Sequence, residues 1–510
     1  MRITVGSRTL TRDDVVAVAR HGAEVVIDAD ALDAMTATRA LIAGLAHDTV
    51  PHYGVSTGFG ALATTHIPLA KRAELQRSLV RSHAASSGAE VEREVVRATM
   101  LLRLATLATG RTGARPVVAE TYAAMLNAGL TPIVGEYGSL GCSGDLAPLA
   151  HCALAAMGEG WVRDAAGDRV AAGDALAAAG IRPLQLQEKE GLALINGTDG
   201  MLGMLCLALA DLDVLVATAD LAAAMSVEGQ LGTDAVFAPE LHELRPHPGQ
   251  ATSAANLRAA LAGSAVVASH RTDDCTRVQD AYSLRCAPQV HGAVRDTMAH
   301  AALVAGRELA SAIDNPVVTP DGRVESNGNF HGAPVAYVLD FLAIAVADLA
   351  SMSERRTDRF LDKARNAGLP PFLAHDPGVD SGHMIAQYTQ AGIVSELKRL
   401  ANPASVDSIP SSAMQEDHVS MGWSSGRKLR RAIDGLGRVV AIEALTAARA
   451  LDLRGLEPAP ATAAVVAALR AEVEGPGPDR YLAPEIERAV ALTQSGALLA
   501  AARSVVPELV

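Results

Sequence analysis

Long runs of apolar and helix-favouring residues dominate the chain after about residue 200. The most apolar run, residues 201–225, contains Asp211, Asp213 and Asp220, whose charges would be costly in a lipid bilayer. We therefore expect a buried helix there. Similar runs cover residues 289–312, 334–366, 381–401 and 415–453. Each is longer than an average helix of about 11–12 residues, and strand-like alternation is rare, so the pattern predicts a mainly α, all-helical fold.

The first part of the chain has a different pattern. Residues 1–200 carry shorter helical segments separated by glycine-rich loops, among them 94–109 and 117–128. Thr11 followed by Asp14 is typical of a helix N-terminus, and Gly22 of the end of that helix. We predict two domains: 1–200, and 201–510 with long central helices packed side by side as an elongated bundle, followed by C-terminal helices.

Charge and cysteine content exclude several classes of function. Lys and Arg number 44 and Asp and Glu 57, so the formal net charge is 44 − 57 = −13. An acidic chain is a poor ligand for nucleic acid or an anionic membrane. The five cysteines are scattered without a CxxC pair, which favours a reducing cytoplasm over a disulfide framework. No secretory signal is visible in MRITVGSRTL, so we predict a cytoplasmic protein.

Aromatic residues are scarce, at 3% of the chain, and several lie in glycine-rich loops. These loops are HYGVSTGFG (52–60), VGEYGSLGCSGD (134–145), INGTDG (195–200) and SNGNFHG (326–332). Functional side chains are common on loops that a rigid scaffold positions. The four loops are therefore candidate parts of one site.

The densest of these motifs is GSLGCSGDLAPLAH, residues 138–151. Its GxxGxxG spacing is neither a dinucleotide-binding nor a phosphate-binding pattern. It predicts either a tight turn before a helix, which would begin near Asp145, or a turn with covalent chemistry. In the second case the amide nitrogen of Gly144 attacks the carbonyl of Cys142, which is possible because glycine lacks a Cβ. Loss of two waters, one of them taking the Ser143 hydroxyl, would leave an electrophilic 4-methylideneimidazol-5-one.

With this motif in place, the chain resembles the histidine/phenylalanine ammonia-lyase family, whose core is shared with the fumarase group. The matching blocks follow one another over roughly residues 50–425. They are YGVSTGFG (53–60), RSHAA (81–85), GSLGCSGDLAPLAH (138–151), INGT (195–198), GTDAVFAPELHELRPHPGQ (232–250), QDAYSLRCAPQVHG (279–292), DNP (314–316), GNFHG (328–332) and QEDHVSMG (415–422). The resemblance implies that the prosthetic group forms from Cys142, Ser143 and Gly144, that no external cofactor is needed, and that the chain forms homotetramers with sites shared between subunits.

The resemblance also implies catalytic roles for two tyrosines. Tyr53 would remove the β-proton of the substrate, and Tyr282 would lie beside the electrophile. A phenol has a pKa of about 10 and is a weak base at neutral pH, so we expect Arg285 and the helix dipole beside the ring to lower the pKa of Tyr53. Without the resemblance, Tyr53 would be an ordinary loop residue.

Substrate-binding roles are implied for further residues. Arg285 and Asn196 would bind the substrate carboxylate, because a guanidinium fork matches a carboxylate. Gln279 lies on the same segment as Arg285, and Tyr282 shares a face with Arg285 if that segment is helical. Phe330 would pack against the ring or the substrate. The alternatives are a structural salt bridge for Arg285, a turn position for Asn196 and a core position for Phe330.

Two residues are predicted to select the substrate. His83 and Glu416 suit an imidazole, which both donates and accepts hydrogen bonds, whereas a phenyl ring would leave them unpaired. The expected reaction is the non-oxidative deamination of L-histidine to trans-urocanate and ammonia, the first step of histidine degradation. Alternatively, Glu416 and His418 are a charge pair at the start of a helix. Cys142 and Met414 depart from the family pattern, which more often has Ala and Asn there.

Several other functions stay open at the level of sequence. They are a phenylalanine or tyrosine ammonia-lyase, a tyrosine 2,3-aminomutase built from the same parts, and a non-catalytic scaffold. His83 and Glu416 disfavour the first, and the joint presence of Tyr53, Ser143 and Arg285 disfavours the last. No HExxH or zinc-ligand spacing occurs, so no metal site is predicted.

Overall fold

The computed structural model describes residues 1–46, 51–272, 275 and 278–510. They form mainly α-helices, which confirms the predicted fold class. The α-helices are Arg12–His21, Ala29–Leu45, Arg72–His83, Arg93–Ala108, Pro116–Asn127, Leu146–Ala156, Ala172–Ala178, Glu190–Ala193, Asp199–Gly229, Pro239–Glu243, Pro248–Leu261, Ala265–Ala268, Tyr282–Arg285, Ala287–Leu309, Ala333–Leu361, Met384–Leu400, Gly422–Arg454, Pro460–Glu472, Ala483–Gln494 and Ala497–Arg503.

The strands are short and form small sheets. They are Arg2–Val5, Glu24–Ile27, Ser87–Glu90, Thr131–Pro132, Gly135–Tyr137, Trp161–Arg163, Arg169–Ala171, Val317–Val318 and Val324–Glu325. The first two pair in parallel, and the other pairs are antiparallel. The strand Gly135–Tyr137 ends directly before the glycine-rich motif and pairs with Ser87–Glu90.

The division of the chain by contacts gives two compact units. The first comprises residues 1–210, 301–340 and 403–427, and the second comprises 211–300, 341–402 and 428–510. The first unit therefore contains the N-terminal segment together with two later segments. A domain boundary near residue 200 stays a prediction.

The predicted start and end of the first helix, Arg12–His21, are confirmed. Thr11 and Asp14 form a capping box: the Asp14 amide donates to Thr11 Oγ1 at 3.2 Å, and the Thr11 amide donates to Asp14 Oδ2 at 2.8 Å. Gly22 ends the helix with φ +63° in the left-handed region, which glycine adopts without strain.

Two of the long helices differ from the predicted bounds. The helix predicted over 415–453 begins only at Gly422, because Ser411 and Glu416 exchange backbone hydrogen bonds at 3.0 and 3.3 Å in a tight turn. The helix predicted over 334–366 ends at Leu361, since the Asn366 side chain donates to the carbonyl of Phe360 at 3.1 Å.

Two helices, Asp199–Gly229 and Ala333–Leu361, are long and apolar enough to cross a membrane by length and composition. Their most apolar windows are 78% and 61% buried, and core helices of soluble proteins meet the same criteria. The expectation that residues 201–225 form a buried helix is confirmed.

Candidate active site

The glycine-rich motif forms a tight, buried turn in the first unit. Gly141 and Gly144 have φ values of +66° and +79°, which L side chains rarely adopt. A Cβ on Gly144 would overlap the carbonyl oxygen of Gly197. Gly144 pairs with Gly197 as an isolated parallel bridge, and the Asp145 amide donates to the Gly197 carbonyl at 2.7 Å. The two sequence blocks 138–151 and 195–198 therefore lie together.

Asp145 precedes the helix Leu146–Ala156, as the sequence predicted, but its carboxylate does not cap that helix. Asp145 Oδ2 accepts the amide of Met201 at 2.8 Å, in the first turn of Asp199–Gly229. Asp145 Oδ1 accepts the Ser139 hydroxyl at 2.9 Å. Burial raises the pKa of Asp145 to about 7 in spite of these bonds. The carboxylate therefore ties the turn to the start of a second helix.

A cavity of about 480 Å³ opens beside this turn, within the size range of small-molecule sites. All of its lining residues belong to the first unit. Five predicted site residues line it: Tyr53, His83, Ser143, Asn196 and Glu416. Much of the remaining wall is apolar and includes Leu62, Ile67, Leu75, Leu79, Leu146, Leu192 and Ile195. Such a wall excludes water and strengthens the electrostatic interactions of the polar groups.

Glu416 is the polar centre of the cavity. Its Oε1 accepts the Ser143 hydroxyl at 3.1 Å, and its Oε2 accepts the Ser411 hydroxyl at 2.6 Å. Burial, reinforced by the Glu416 charge, raises the pKa of the Cys142 thiol to about 12. The thiol is therefore uncharged at neutral pH. Glu416 lies in the turn before a helix rather than at a helix start, so a helix-start charge pair with His418 is not formed.

His83 ends the helix Arg72–His83 with its ring facing the cavity. Its Nδ1 bonds to the carbonyl oxygen of Leu79 at 2.9 Å, and Ser82 Oγ lies 3.1 Å from the same nitrogen. Because a carbonyl only accepts, Nδ1 carries the proton in this bond. Burial lowers the pKa of His83 despite the nearby Glu416 charge. A neutral His83 would keep Nε2 as an acceptor.

Tyr53 also lines the cavity and belongs to the loop 52–60. The amide of Gly60 donates to its hydroxyl at 3.4 Å. Its ring contacts Phe59 edge to face, with centroids 6.3 Å apart. Burial raises the pKa of Tyr53, and the negative charges of Glu416 and Asp314 raise it further. The expectation of a lowered pKa is therefore wrong for this chain: burial and the carboxylates outweigh the hydrogen bond from Gly60.

Asn196 is buried, and its side-chain Oδ1 has no hydrogen-bond partner among the described residues. An unpaired polar atom at a cavity wall is costly unless a ligand or water satisfies it. The backbone of Asn196 is fixed, because its carbonyl accepts Arg103 Nη1 at 3.1 Å. The side-chain amide of Asn196 can therefore bind a ligand from a loop whose backbone is held in place.

Gln279, Tyr282 and Arg285 belong to the second unit. Tyr282 and Arg285 share a face of the short helix Tyr282–Arg285, as predicted, and the guanidinium carbon lies 4.7 Å from the centre of the Tyr282 ring. The Tyr282 side chain is 71% exposed, and Gln279 is exposed. Arg285 Nε is buried without a hydrogen-bond partner among the described residues.

Phe330 is half-buried in the loop 326–332 and does not line the cavity as the described residues form it. The next residue, His331, stacks on His418 with ring centroids 5.7 Å apart. The role of Phe330 against the ring or substrate stays a prediction.

Sequence reasoning missed the buried ion pairs behind the cavity. Arg103 bonds Asp199, and Lys189 bonds Asp314, with all four side chains almost fully buried. Asp199 and Asp314 do lie in the motifs INGTDG and DNP, so their position next to candidate site residues was the available signal. Within the part of the chain that the structure describes, no three His, Cys, Asp or Glu side chains are grouped to hold a metal ion.

Comparison with known proteins gives consistent results. Residues 10–471 match the aromatic amino acid lyase family. A histidine ammonia-lyase from Streptomyces avermitilis is 66% identical over 505 residues, covering 99% of this chain and 98% of that protein. The crystal structure of histidine ammonia-lyase from Trypanosoma cruzi superposes with a TM-score of 0.91 at 38% identity, covering 100% of this chain and 96% of the other. The crystal structure of tyrosine aminomutase from Streptomyces globisporus superposes with a TM-score of 0.93 at 39% identity, with 98% of each chain covered. The chain belongs to the aromatic amino acid lyase family.

Proposed function

We propose that this chain is a carbon–nitrogen lyase that deaminates L-histidine without oxidation, giving trans-urocanate and ammonia. The observation that carries the proposal is the convergence of His83 and Glu416 on the cavity that Ser143 lines. An imidazole ring presents N–H donors that the carboxylate of Glu416 and the free nitrogen of neutral His83 can accept, whereas a phenyl ring has none. A phenyl ring would leave both protein groups desolvated and unpaired, which is the strong form of discrimination between substrates. The histidine ammonia-lyase at 66% identity supports the same reaction.

The proposal includes a 4-methylideneimidazol-5-one formed from Cys142, Ser143 and Gly144. The residues fit this group: the backbone at Gly144 leaves no room for a Cβ, and Ser143 lies at the cavity wall. The helix Leu146–Ala156 begins just after the turn and directs its positive end towards it. Once formed, the group supplies the electrophile that turns the substrate amine into a better leaving group. No external cofactor is part of the proposal.

The cavity residues would bind and orient the substrate. Glu416 would accept one imidazole N–H, and Nε2 of neutral His83 would accept the second N–H that the ring carries when it is protonated. Asn196 would donate its side-chain Nδ2–H to the substrate carboxylate together with Arg285, because its unpartnered Oδ1 can only accept. These contacts would hold the β-carbon towards Tyr53, and such orientation is a major source of rate enhancement.

Tyr53 Oη would take the β-proton. Its pKa is raised in this chain, so the phenolate needs a positive charge close by to form. We assign that role to Arg285, whose Nε lacks a partner among the described residues. Tyr282 would lie beside the electrophile, and Phe330 would pack against it or the substrate.

We further propose a cytoplasmic homotetramer whose sites combine residues from several copies of the chain. The exposed ring of Tyr282 supports this, because a catalytic aromatic residue is expected to be covered in the working enzyme. Gln279 and Arg285 lie on the same segment as Tyr282, so the same copy of the chain would supply all three to the site.

The experiment is a comparison of three substrates. Purified protein is mixed separately with L-histidine, L-phenylalanine and L-tyrosine, while the absorbance of the conjugated acrylate and the release of ammonia are followed. Urocanate and ammonia from histidine alone are the expected result. Product from an aromatic substrate would overturn the assignment of His83 and Glu416. A β-amino acid product would point to an aminomutase, the class of one structural relative.

A further inference from the structure

Arg103 makes an unusual set of hydrogen bonds for a side chain with no exposed surface. Its Nε and Nη2 donate to Asp199 Oδ2 at 3.1 and 2.6 Å. Its Nη1 donates to the carbonyls of Ala193 and Asn196 at 2.9 and 3.1 Å, and its Nη2 also reaches the carbonyl of Ile313 at 3.3 Å. One guanidinium therefore holds two loops of the first unit.

The loop 193–199 that Arg103 holds carries two parts of the site. Asn196 lines the cavity with an unpartnered amide oxygen. The carbonyl of Gly197 accepts the Asp145 amide at 2.7 Å, and Gly197 pairs with Gly144. A Cβ on Gly197 would overlap Arg103 Nη2, so the loop packs directly on the guanidinium. A shift of this loop would move both the amide and the turn.

We propose that Arg103 is a positioning residue of the active site, an inference that rests on the proposed function. It acts through Asn196, whose backbone it fixes, and through Gly197, which supports the turn of Cys142, Ser143 and Gly144. The planar fork is required, because it presents five N–H donors in fixed directions. An ammonium group is a compact charge that can stay opposite Asp199, but it cannot reach all of the carbonyls at once.

Arg97 provides a matched control on the same helix, Arg93–Ala108. Its side chain is equally buried, and it also donates to backbone carbonyls: Val18 at 3.2 and 2.9 Å and Leu126 at 3.1 Å. Those carbonyls lie outside the cavity lining. Arg97→Lys therefore reproduces the loss of a buried fork without disturbing loop 193–199.

The experiment compares Arg103→Lys with Arg97→Lys for melting temperature, kcat, KM and intact mass. We expect Arg103→Lys to lose about 100-fold in kcat/KM, part of it as a higher KM, because small displacements of positioned groups carry such costs. Arg97→Lys should keep kcat/KM at a similar melting temperature. The intact mass shows whether Arg103 acts through the turn or through Asn196. If some chains of Arg103→Lys fail to lose two waters, the turn has moved. If every chain loses both waters, Asn196 alone has moved.

Equal kcat/KM in the two folded variants would overturn the proposal, and so would losses that simply follow the melting temperatures. If Arg103→Lys does not fold, Gly197→Ala decides, because its Cβ would overlap Arg103 Nη2 and Asp199 Oδ2 and so push the loop away from the guanidinium without replacing either charged residue. Wild-type kinetics in that variant would overturn the proposal, and reduced kcat/KM in a folded Gly197→Ala would support it. If the wild-type chain makes no urocanate, the proposed function fails by itself. Intact mass then decides: loss of two waters in Arg97→Lys but not in Arg103→Lys supports the positioning role, and equal loss refutes it.

Discussion

Arg103 in the first unit and Arg356 in the second are both fully buried, but they use different partners. Arg103 donates to the carbonyl of Ala193, at the end of a short helix, and to the loop carbonyls of Asn196 and Ile313, as well as to Asp199. Arg356 binds both oxygens of Glu443, at 2.5 and 2.9 Å. Helical carbonyls already accept hydrogen bonds within the helix, whereas loop carbonyls need other donors. Of these two buried arginines, Arg103 therefore mainly fixes backbone, whereas Arg356 mainly connects helices through Glu443.

Glu443, the partner of Arg356, also bonds to side chains on other helices. Its oxygens also accept the hydroxyls of Ser226 and Ser353, at 2.7 and 2.5 Å. These residues lie on the helices Asp199–Gly229, Ala333–Leu361 and Gly422–Arg454. This contrast leads us to expect that Arg103 serves the chemistry of the site, whereas Arg356 and Glu443 hold helices together. The following experiments test this separation, beginning with the largest expected effect.

The first test is Ser143→Ala in the first unit. We expect activity to fall by at least about 10³-fold, since the residue that forms the electrophile is lost and such losses are very large. Stability should change by only about 1 kcal/mol, because the one hydrogen bond that the Ser143 hydroxyl makes, to Glu416, is absent once the ring has formed as well. Urocanate formation, intact mass and thermal unfolding measure the three properties. The mass of Ser143→Ala should not fall by two waters. A Ser143→Ala protein that keeps the wild-type rate would refute the mechanism.

The second test is Arg356→Met in the second unit. Removing one member of a buried pair leaves Glu443 without its partner, so we expect a loss of about 3–5 kcal/mol in the free energy of unfolding. Arg356 Nη1 also donates to the carbonyl of Ser283, between Tyr282 and Arg285, at 3.2 Å, so this variant tests stability and KM is not expected to stay unchanged. Arg355→Met on the same helix is the control, because Arg355 is exposed and its ion pair should contribute no more than about 1 kcal/mol.

Urea unfolding measures the effect of Arg356→Met. A folded Arg356→Met with the wild-type free energy of unfolding would contradict the structural role of the buried pair. The double variant Arg356→Met/Glu443→Leu should recover stability, because no charge is then left buried without a partner.

The third test is Glu416→Gln. Glutamine keeps an acceptor for the Ser411 hydroxyl but removes the charge that would bind imidazole. We expect kcat/KM for histidine to fall about 10- to 100-fold, in line with the 1.5–3 kcal/mol typical of hydrogen bonds to charged groups. Discrimination against phenylalanine should fall with it. Glu228→Gln, a buried carboxylate of the second unit that accepts the Ala459 amide at 2.7 Å, should leave both unchanged. Unaltered selectivity in Glu416→Gln would mean that another group selects the substrate.

Motifs predicted much of the candidate site, because the chemistry depends on local sequence. The turn at Gly144 and the convergence of Tyr53, His83, Asn196 and Glu416 on one cavity follow from short blocks with recognisable residues. The mainly helical fold followed from the long apolar runs. These features are set by residue type and spacing, which a sequence displays directly.

Other features depend on contacts between distant residues and escaped prediction. The acceptors of Arg103 at Ala193 and Ile313 are 90 and 210 residues away in sequence. The pKa of Tyr53 was predicted in the wrong direction, because its burial and the nearby charge of Asp314 are tertiary effects. The helix from Gly422 starts late because the turn between Ser411 and Glu416 closes through backbone hydrogen bonds.

The last expected effect is on the pH dependence of stability, where Asp145 in the first unit and His383 in the second should respond in opposite directions. Burial raises the pKa of Asp145 in the first unit from 3.8 to about 7. The native protein thus keeps a proton that the unfolded chain releases, so this contribution is complete below pH 3.8 and is lost as the pH rises through 7. Burial lowers the pKa of His383 in the second unit from 6.5 to about 3. Its contribution is complete above pH 6.5 and is lost as the pH falls towards 3.

Asp145→Asn and His383→Gln separate these contributions, and both replacements can keep a hydrogen bond to the present partners, Ser139 and Thr446. Urea unfolding is measured at a series of pH values between about 4 and 7, the range between the ordinary pKa values of the two groups. The free energy of unfolding of Asp145→Asn should rise more steeply with pH than that of the wild type, because a contribution that declines with pH is removed. That of His383→Gln should fall less on acidification. Curves parallel to the wild type in either variant would show that the group does not stay in its buried, uncharged form, and the contrast between the units would then rest on Arg103 and Arg356 alone.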